Sequence, residues 1–140
     1  IGPDEENIIK RNSLIGKFQK NEIIYLGVKH NPEYWLNGCD IFCLPSYREG
    51  FGSVLIEASA LKLPVVASKI YGIEDAVLDN VTGLLFKVGN LDDLVKTIIR
   101  LLEDNQLCKN LGCAGFERVK TKFSREILKK SFLNYINFRI

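Results

Sequence analysis

Neither sign of charge is in clear excess in this 140-residue sequence. The 19 Lys and Arg residues nearly balance the 17 Asp and Glu residues, which leaves a formal net charge of +2. Acidic and basic residues are also mixed along most of the length. Domains that bind nucleic acid usually concentrate positive charge. The balance therefore argues against nucleic acid as the natural partner.

Long hydrophobic runs are also missing. No apolar stretch approaches the roughly 18 residues that a membrane-spanning helix needs. The polar opening, Ile1-Gly-Pro-Asp-Glu-Glu, lacks both an initiator methionine and the apolar core of a secretory signal. We therefore expect a piece of a longer protein. At 46% hydrophobic and 26% charged residues, its composition is that of a folded domain able to bury a core.

Metal ligands are few. The sequence has one histidine, and its four cysteines, at positions 39, 43, 108 and 113, match no zinc-binding spacing. We interpret the cysteines as buried free thiols rather than as disulfide or metal ligands. Free thiols favour a reducing compartment. No metal site is expected.

Short apolar runs alternate with helical patterns. Continuous runs predict buried strands at Ile23 to Leu26, Ile41 to Leu44, Val65 to Ala67 and Leu84 to Phe86. Helices are predicted to about residue 19 and at about 32–37, 53–61, 91–102 and 105–120, with a short element near 75–78 and a last helix capped by Ser124. This order predicts an α/β fold, a Rossmann-like parallel sheet flanked by helices, with residues 1–140 forming one domain.

Three loops follow predicted strands: Gly27 to Asn31, Pro45 to Gly52, and Ser68 to Glu74. In parallel α/β sheets, ligands bind in a crevice at the carboxyl ends of the strands. The polar, glycine-bearing character of all three loops predicts that they share one crevice.

Gly50 and Gly52 lie between a strand and a helix start. Glycines there allow close backbone approach, and the helix N-terminus adds positive potential, so the segment is suited to a diphosphate. A dinucleotide fingerprint would need a third glycine about where Leu55 stands. A nicotinamide cofactor is therefore not expected.

Glu57 is the most informative side chain of this segment. It shares a predicted helical face with Val54, Ala58 and Leu61, so we expect its carboxylate to point inward. A buried carboxylate needs a partner. The partner is either a ligand diol or an internal group such as a lysine or backbone amides, and the residues alone leave both open. Glu49 is, by position alone, a solvated or capping acid.

Three blocks occur in order: Leu44-Pro-Ser-Tyr-Arg-Glu-Gly-Phe-Gly-Ser-Val-Leu-Ile-Glu-Ala58, Leu63-Pro-Val-Val-Ala-Ser68 and Thr82-Gly-Leu-Leu-Phe86. They resemble the donor-binding, C-terminal domain of family 4 retaining glycosyltransferases with the GT-B fold. The resemblance covers nearly the whole chain. The two glutamates of that family, separated by seven residues, fall on Glu49 and Glu57.

The resemblance implies a nucleotide-sugar donor, in particular a UDP-hexose or UDP-N-acetylhexosamine, and neither metal nor cofactor. Glu49 would be the catalytic position, contacting the hydroxyls of the sugar, and Glu57 would bind the ribose diol. Besides Glu57, the residues implied to bind the donor are Gly50, Phe51, Gly52, Ser53 and Val54 in the phosphate-binding loop, Ser46 and Tyr47 in the crevice, and Val28 and His30 near the base.

The resemblance also implies parts outside this sequence. A first strand, an Arg/Lys phosphate clamp and an acceptor-binding domain would precede Ile1, and the acceptor would be a sugar or lipid-linked saccharide. The full-length enzyme would build bacterial surface polysaccharide or lipopolysaccharide in the cytoplasm, at the inner face of the membrane. The basic and aromatic C-terminal region would contact that membrane or pack on the absent domain. The fragment alone is predicted to be inactive.

Two other classes remain as alternatives. A GT-B sugar-nucleotide epimerase or phosphorylase would keep the fold, although a pyridoxal lysine is not evident in the sequence. A non-enzymatic, flavodoxin-like nucleotide-binding or receiver module would need an acidic residue after a strand, whereas Asp40 precedes one.

Overall fold

A computed structural model of the chain describes residue 24 and residues 26–138. They fall into two compact units whose boundary in the sequence lies between Trp35 and Leu36. The predicted N-terminal helix lies outside the described residues, as do two residues of the predicted strand Ile23 to Leu26. Of the two that are described, Ile24 is 70% exposed and neither belongs to a strand. That buried strand is therefore not borne out where it is described, and the single domain stays a prediction.

The first unit includes the beginning of helix α1, Pro32–Leu36. Proline suits a first helical turn because its missing N–H has no intrahelical partner there. The helix gives way to a turn at Asn37 and Gly38, as predicted. Lys29 places its Nζ 5.0 Å from the centre of the Trp35 ring, a cation–π contact within this unit.

The second unit is built on three parallel strands, β1 (Phe42–Leu44), β2 (Val65–Lys69) and β3 (Leu84–Lys87). Their order is β1-β2-β3, with Phe42 opposite Val65 and Val66 opposite Leu84. These three predicted strands are confirmed, with ends shifted by one or two residues. The parallel sheet confirms the α/β prediction.

Five helices follow in this unit. They are α2 (Ser53–Ala60), α3 (Ile73–Ala76), α4 (Leu91–Glu103), α5 (Asn105–Arg118) and α6 (Arg125–Asn137). One π-helical turn, Val119–Phe123, joins α5 to α6. Side-chain caps set three of the starts, since Asn90, Asp104 and Ser124 accept hydrogen bonds from amides three residues on. No helix in the described part of the chain combines the length and apolarity needed to cross a bilayer.

Apolar side chains cover the sheet on both faces. Leu55 and Ala58 of α2 and Ile73 of α3 pack in one cluster with Val65. Leu101 of α4 and Leu111 of α5 pack in the other. Because β2 is buried on both faces over most of its length, its first three residues, Val65 to Ala67, are continuously apolar rather than alternating.

The four cysteines are free thiols in two different environments. Cys39 and Cys113 are exposed, so the prediction of burial is wrong for them, because neither lies on a packed face. Cys43 and Cys108 are partly buried. Burial raises the pKa of Cys43. Burial, followed by the charges of Asp104 and Asp40, raises the pKa of the Cys108 thiol.

The two environments predict two rates of alkylation. Since the thiolate is the reacting form, we expect Cys39 and Cys113 to react with iodoacetamide at pH 8 several-fold faster than Cys43 and Cys108. Peptide mass spectrometry of partially labelled protein measures the order. In denaturant, which removes the burial, the four rates should converge. Equal rates in the folded protein would contradict the burial.

Candidate functional site

A cleft of about 440 Å³ lies where β1 and β2 end. One wall comes from the loop after β1 and the other from the loop after β2. The residues lining it are Tyr47, Arg48, Glu49, Gly50, Ile70 and Tyr71. Two of the three predicted loops therefore meet at one crevice. The third, Gly27 to Asn31, belongs to the first unit, so the placement of Val28 and His30 beside a base stays a prediction.

Gly72 holds the two walls together. Its φ is 86°, in the region that side-chain-bearing residues rarely adopt. A Cβ on Gly72 would lie 2.5 Å from the carbonyl oxygen of Gly50 and 2.7 Å from that of Glu49. Both its dihedral angle and its close packing therefore require glycine.

Glu49 is partly buried at the cleft rather than freely solvated. The Ser46 hydroxyl donates a hydrogen bond of 2.8 Å to its Oε1. The contact restricts the carboxylate and leaves acceptor capacity on Oε2. Ser46 thus orients Glu49, a role that the sequence did not indicate.

The glycine turn leads directly into α2. Gly52 is buried in the left-handed conformation, with φ 65° and ψ 46°, and it is the N-cap of α2 without a side-chain cap. The Leu55 amide donates to the Gly52 carbonyl at 2.9 Å. The first amides of an α-helix, here those of Ser53 and Val54, have no acceptor within the helix. They stand at its positive end, as an anion site would require.

Glu57 does not point inward, so that prediction is wrong. Its side chain is exposed, and the buried residues of α2 are Leu55, Ala58 and Ser59. The buried face of α2 is therefore shifted by about one residue along the helix from the predicted face. Because the carboxylate stays in solvent, it needs no internal lysine or amide partner, and it is accessible to a ligand.

The other predicted residues divide between the cleft and its surroundings. Tyr47 lines the cleft and is 77% exposed. Phe51 is 40% exposed, but its ring lies against Phe123, with ring centres 5.6 Å apart at 67°. Only the backbone of Phe51 is therefore a candidate for ligand contact.

Arg48 and Tyr71 also line the cleft, although neither was assigned to the donor site. Their place in loops after strands was the available signal. Across the described residues, no cluster of three or more His, Cys, Asp or Glu side chains is arranged to hold a metal ion. The described cleft therefore presents backbone amides, one oriented carboxylate and a cation.

The model of a protein family described as "Glycosyl transferases group 1" matches residues 1–118. The chain belongs to this family. The predicted membership of a glycosyltransferase family is thereby confirmed, and epimerase, phosphorylase or receiver functions are not favoured.

Similar proteins of known name support this family membership. It is 31% identical to the capsular polysaccharide biosynthesis glycosyltransferase CapM of Staphylococcus aureus over 89% of this chain and 33% of CapM. It resembles a TarM mutant of the same species in complex with Fondaparinux, alpha-GlcNAc-glycerol and UDP, with a TM-score of 0.77 and 28% identity over 92% of this chain and 25% of that one.

The HepE protein of Anabaena, in complex with UDP-glucose, matches with a TM-score of 0.86 over 96% of this chain and 38% of that one. Its 23% identity supports the fold alone. The chain thus has the fold predicted from the sequence, that of the C-terminal domain of a GT-B glycosyltransferase, and it spans about a quarter to two fifths of the length of these proteins.

The packing of Gly72 gives a stability test. We expect Gly72→Ala to lower the free energy of unfolding by about 2 kcal/mol or more, because it combines backbone overlap with an unfavourable φ. Gly50→Ala is the matched control, since a Cβ there meets nothing within 4 Å. Thermal unfolding of both variants measures the difference. If they were equally stable, the tight contact between the loops would be refuted.

Proposed function

We propose that this domain binds the nucleotide-sugar donor, a UDP-hexose or UDP-N-acetylhexosamine, of a retaining glycosyltransferase. The observation that carries the proposal is Glu49, oriented by Ser46 at a cleft whose lining includes Gly50, two residues before the N-cap of α2, which has no side-chain cap. The UDP in the TarM structure supports this choice of donor.

In this proposal, the amides from Phe51 to Val54 bind the distal phosphate. Gly50 leaves space beside the turn, since a Cβ there would meet nothing within 4 Å. The positive end of α2 opposes the negative charge that grows as the diphosphate departs. Fixed dipoles of this kind need little reorganisation during the reaction. The domain can thus stabilise the leaving group without a metal.

The two glutamates take separate parts of the donor. Glu57 lies on the solvent side of α2, where its carboxylate can accept hydrogen bonds from both ribose hydroxyls. Glu49 uses Oε2 to bind a hydroxyl of the sugar. The acceptor then attacks the anomeric carbon from the face that UDP leaves, which preserves the configuration.

The remaining parts belong to the full-length protein. A preceding domain binds the sugar or lipid-linked saccharide acceptor, and an upstream Arg/Lys pair completes the phosphate site. The chain covers a third of CapM, whose name supports a role in surface polysaccharide synthesis. We propose a cytoplasmic enzyme that reaches its acceptor at the inner face of the membrane.

Helix α6 belongs to the same proposal. None of its residues is buried, and Leu128, Phe132 and Leu133 expose apolar surface beside Lys129 and Lys130. We propose that the preceding domain packs on this apolar face. Contact with a membrane surface is the alternative, which the basic residues would suit.

Removal of the Glu57 carboxylate tests the donor site. In the full-length protein, we expect Glu57→Ala to weaken UDP binding roughly 10- to 100-fold, because hydrogen bonds to a charged group are lost. Isothermal titration calorimetry measures the change. Glu103→Ala, an exposed glutamate at the end of α4, is the control and should bind as the wild type does. Absence of UDP binding by the wild type would refute the proposed donor.

The Ser46–Glu49 contact predicts a graded loss of turnover. Glu49→Gln should lower kcat about 100-fold, since it removes a charge next to the reacting sugar. Ser46→Ala should lower kcat by roughly 3- to 10-fold, because Glu49 loses its orienting donor. UDP release with acceptor present measures both, with Ser131→Ala on α6 as the control. If Glu49→Gln retained full kcat, its catalytic role would be excluded.

A further inference from the structure

One segment, the end of α5 and the π-helical turn after it, contacts the loop after β1 and the helix α3 that follows the loop after β2. Arg118, the last residue of α5, donates from a terminal guanidinium nitrogen to the Asp75 carbonyl at 2.8 Å. Its Nε donates to the Ala76 carbonyl at 3.3 Å. These carbonyls end α3, where a helix leaves acceptors without intrahelical donors. Arg118 therefore anchors the helix that begins immediately after Gly72.

Phe123, the last residue of the π-helical turn, reaches the other wall. Its ring meets that of Phe51 edge to face. The Arg118 guanidinium carbon lies 5.3 Å from the centre of the same Phe123 ring, a cation–π contact. Arg118 and Phe123 thus contact each other. Arg118 also holds α3, and Phe123 also holds the loop after β1.

The contacts made by Arg118 and by Phe123 lead to consecutive residues of the loop after β1. Through α3, Arg118 supports Gly72, which packs on the carbonyls of Glu49 and Gly50. Phe123 holds Phe51, the next residue. Since Gly52 caps α2 without a side chain, the direction of the following amides depends on how residues 49–51 are held. A π-helical turn inserts an extra residue and frequently marks a functional region.

We propose that Arg118 and Phe123 are positioning residues for the donor diphosphate. They touch no substrate; they fix the amides from Phe51 to Val54 before the donor arrives, so that binding does not have to order them. This inference rests on the proposed function, which supplies the ligand. The contacts themselves concern the unliganded domain and can be tested separately.

The first test compares substitutions in the full-length protein. We expect Phe123→Leu, which keeps an apolar side chain but removes the ring pair, to weaken UDP binding roughly 3- to 10-fold. Phe123→Tyr keeps the ring and should bind UDP about as tightly as the wild type. Leu102→Ala, which removes an exposed apolar side chain near the end of α4, is the control. Each titration is made well below the thermal midpoint of the variant, so that a loss of stability alone leaves the affinity unchanged.

A parallel test removes the fork of Arg118. Arg118→Lys keeps the charge but cannot bond two carbonyls in the same fixed geometry. We expect a rise in the donor KM with a smaller change in kcat. Arg100→Lys, which alters an exposed arginine bonded to Asn80, is the control. If Arg118→Lys and Arg100→Lys had the same KM, the anchoring role of Arg118 would be wrong.

Hydrogen exchange separates this inference from the proposed function. In the unliganded protein, Phe123→Leu should accelerate exchange of the amides from Phe51 to Val54, whereas Leu102→Ala should not. If wild-type protein bound UDP and Phe123→Leu changed neither affinity nor exchange, positioning would be overturned while donor binding stood. If the wild type bound no UDP, the donor would be wrong, and faster exchange alone would still support the positioning contact. Should Phe123→Leu fail to fold, Phe51→Leu removes the same ring pair from the other side and must give the same acceleration.

Discussion

The approach of Gly72 to the carbonyl oxygens of Glu49 and Gly50 is the constraint on which the cleft depends. Two loops from neighbouring parallel strands would otherwise diverge, since each carries polar, exposed residues with little apolar area to bury. A backbone-to-backbone contact at this distance admits only glycine. The contact sets where Glu49 stands, and Ser46 then sets how its carboxylate is turned.

Three of the four strands predicted from the sequence are confirmed. A run such as Val65 to Ala67 is apolar on both faces because both faces are covered, which is the condition of a central parallel strand. The run Ile23 to Leu26 is equally apolar, but its described residues form no strand, so an apolar run alone does not decide. Helix starts were equally accessible, because a cap such as Ser124 acts on an amide three residues away. The glycine turn was found through its place after such a strand, whereas Glu49 was indicated by the resemblance to a glycosyltransferase family.

The orientation of Glu57 was missed for a physical reason. Val54, Leu55 and Ile56 are consecutive apolar residues, so α2 offers no single hydrophobic stripe from which a buried face follows. The face is chosen instead by packing against the sheet and α3, which lie elsewhere in the chain. The contact of Phe123 with Phe51 spans a still longer separation and leaves no local pattern. Interactions of this kind emerge only once the elements are assembled.

Arg118 holds α3 by main-chain carbonyls and makes no use of the side chains at Asp75 and Ala76. An anchor of this type is indifferent to the identity of the residues it holds. Side chains of α3 and of the loop before it could therefore change during evolution without weakening the contact between Arg118 and α3. The same scaffold could in this way present a new surface to a different sugar while keeping the phosphate site in place.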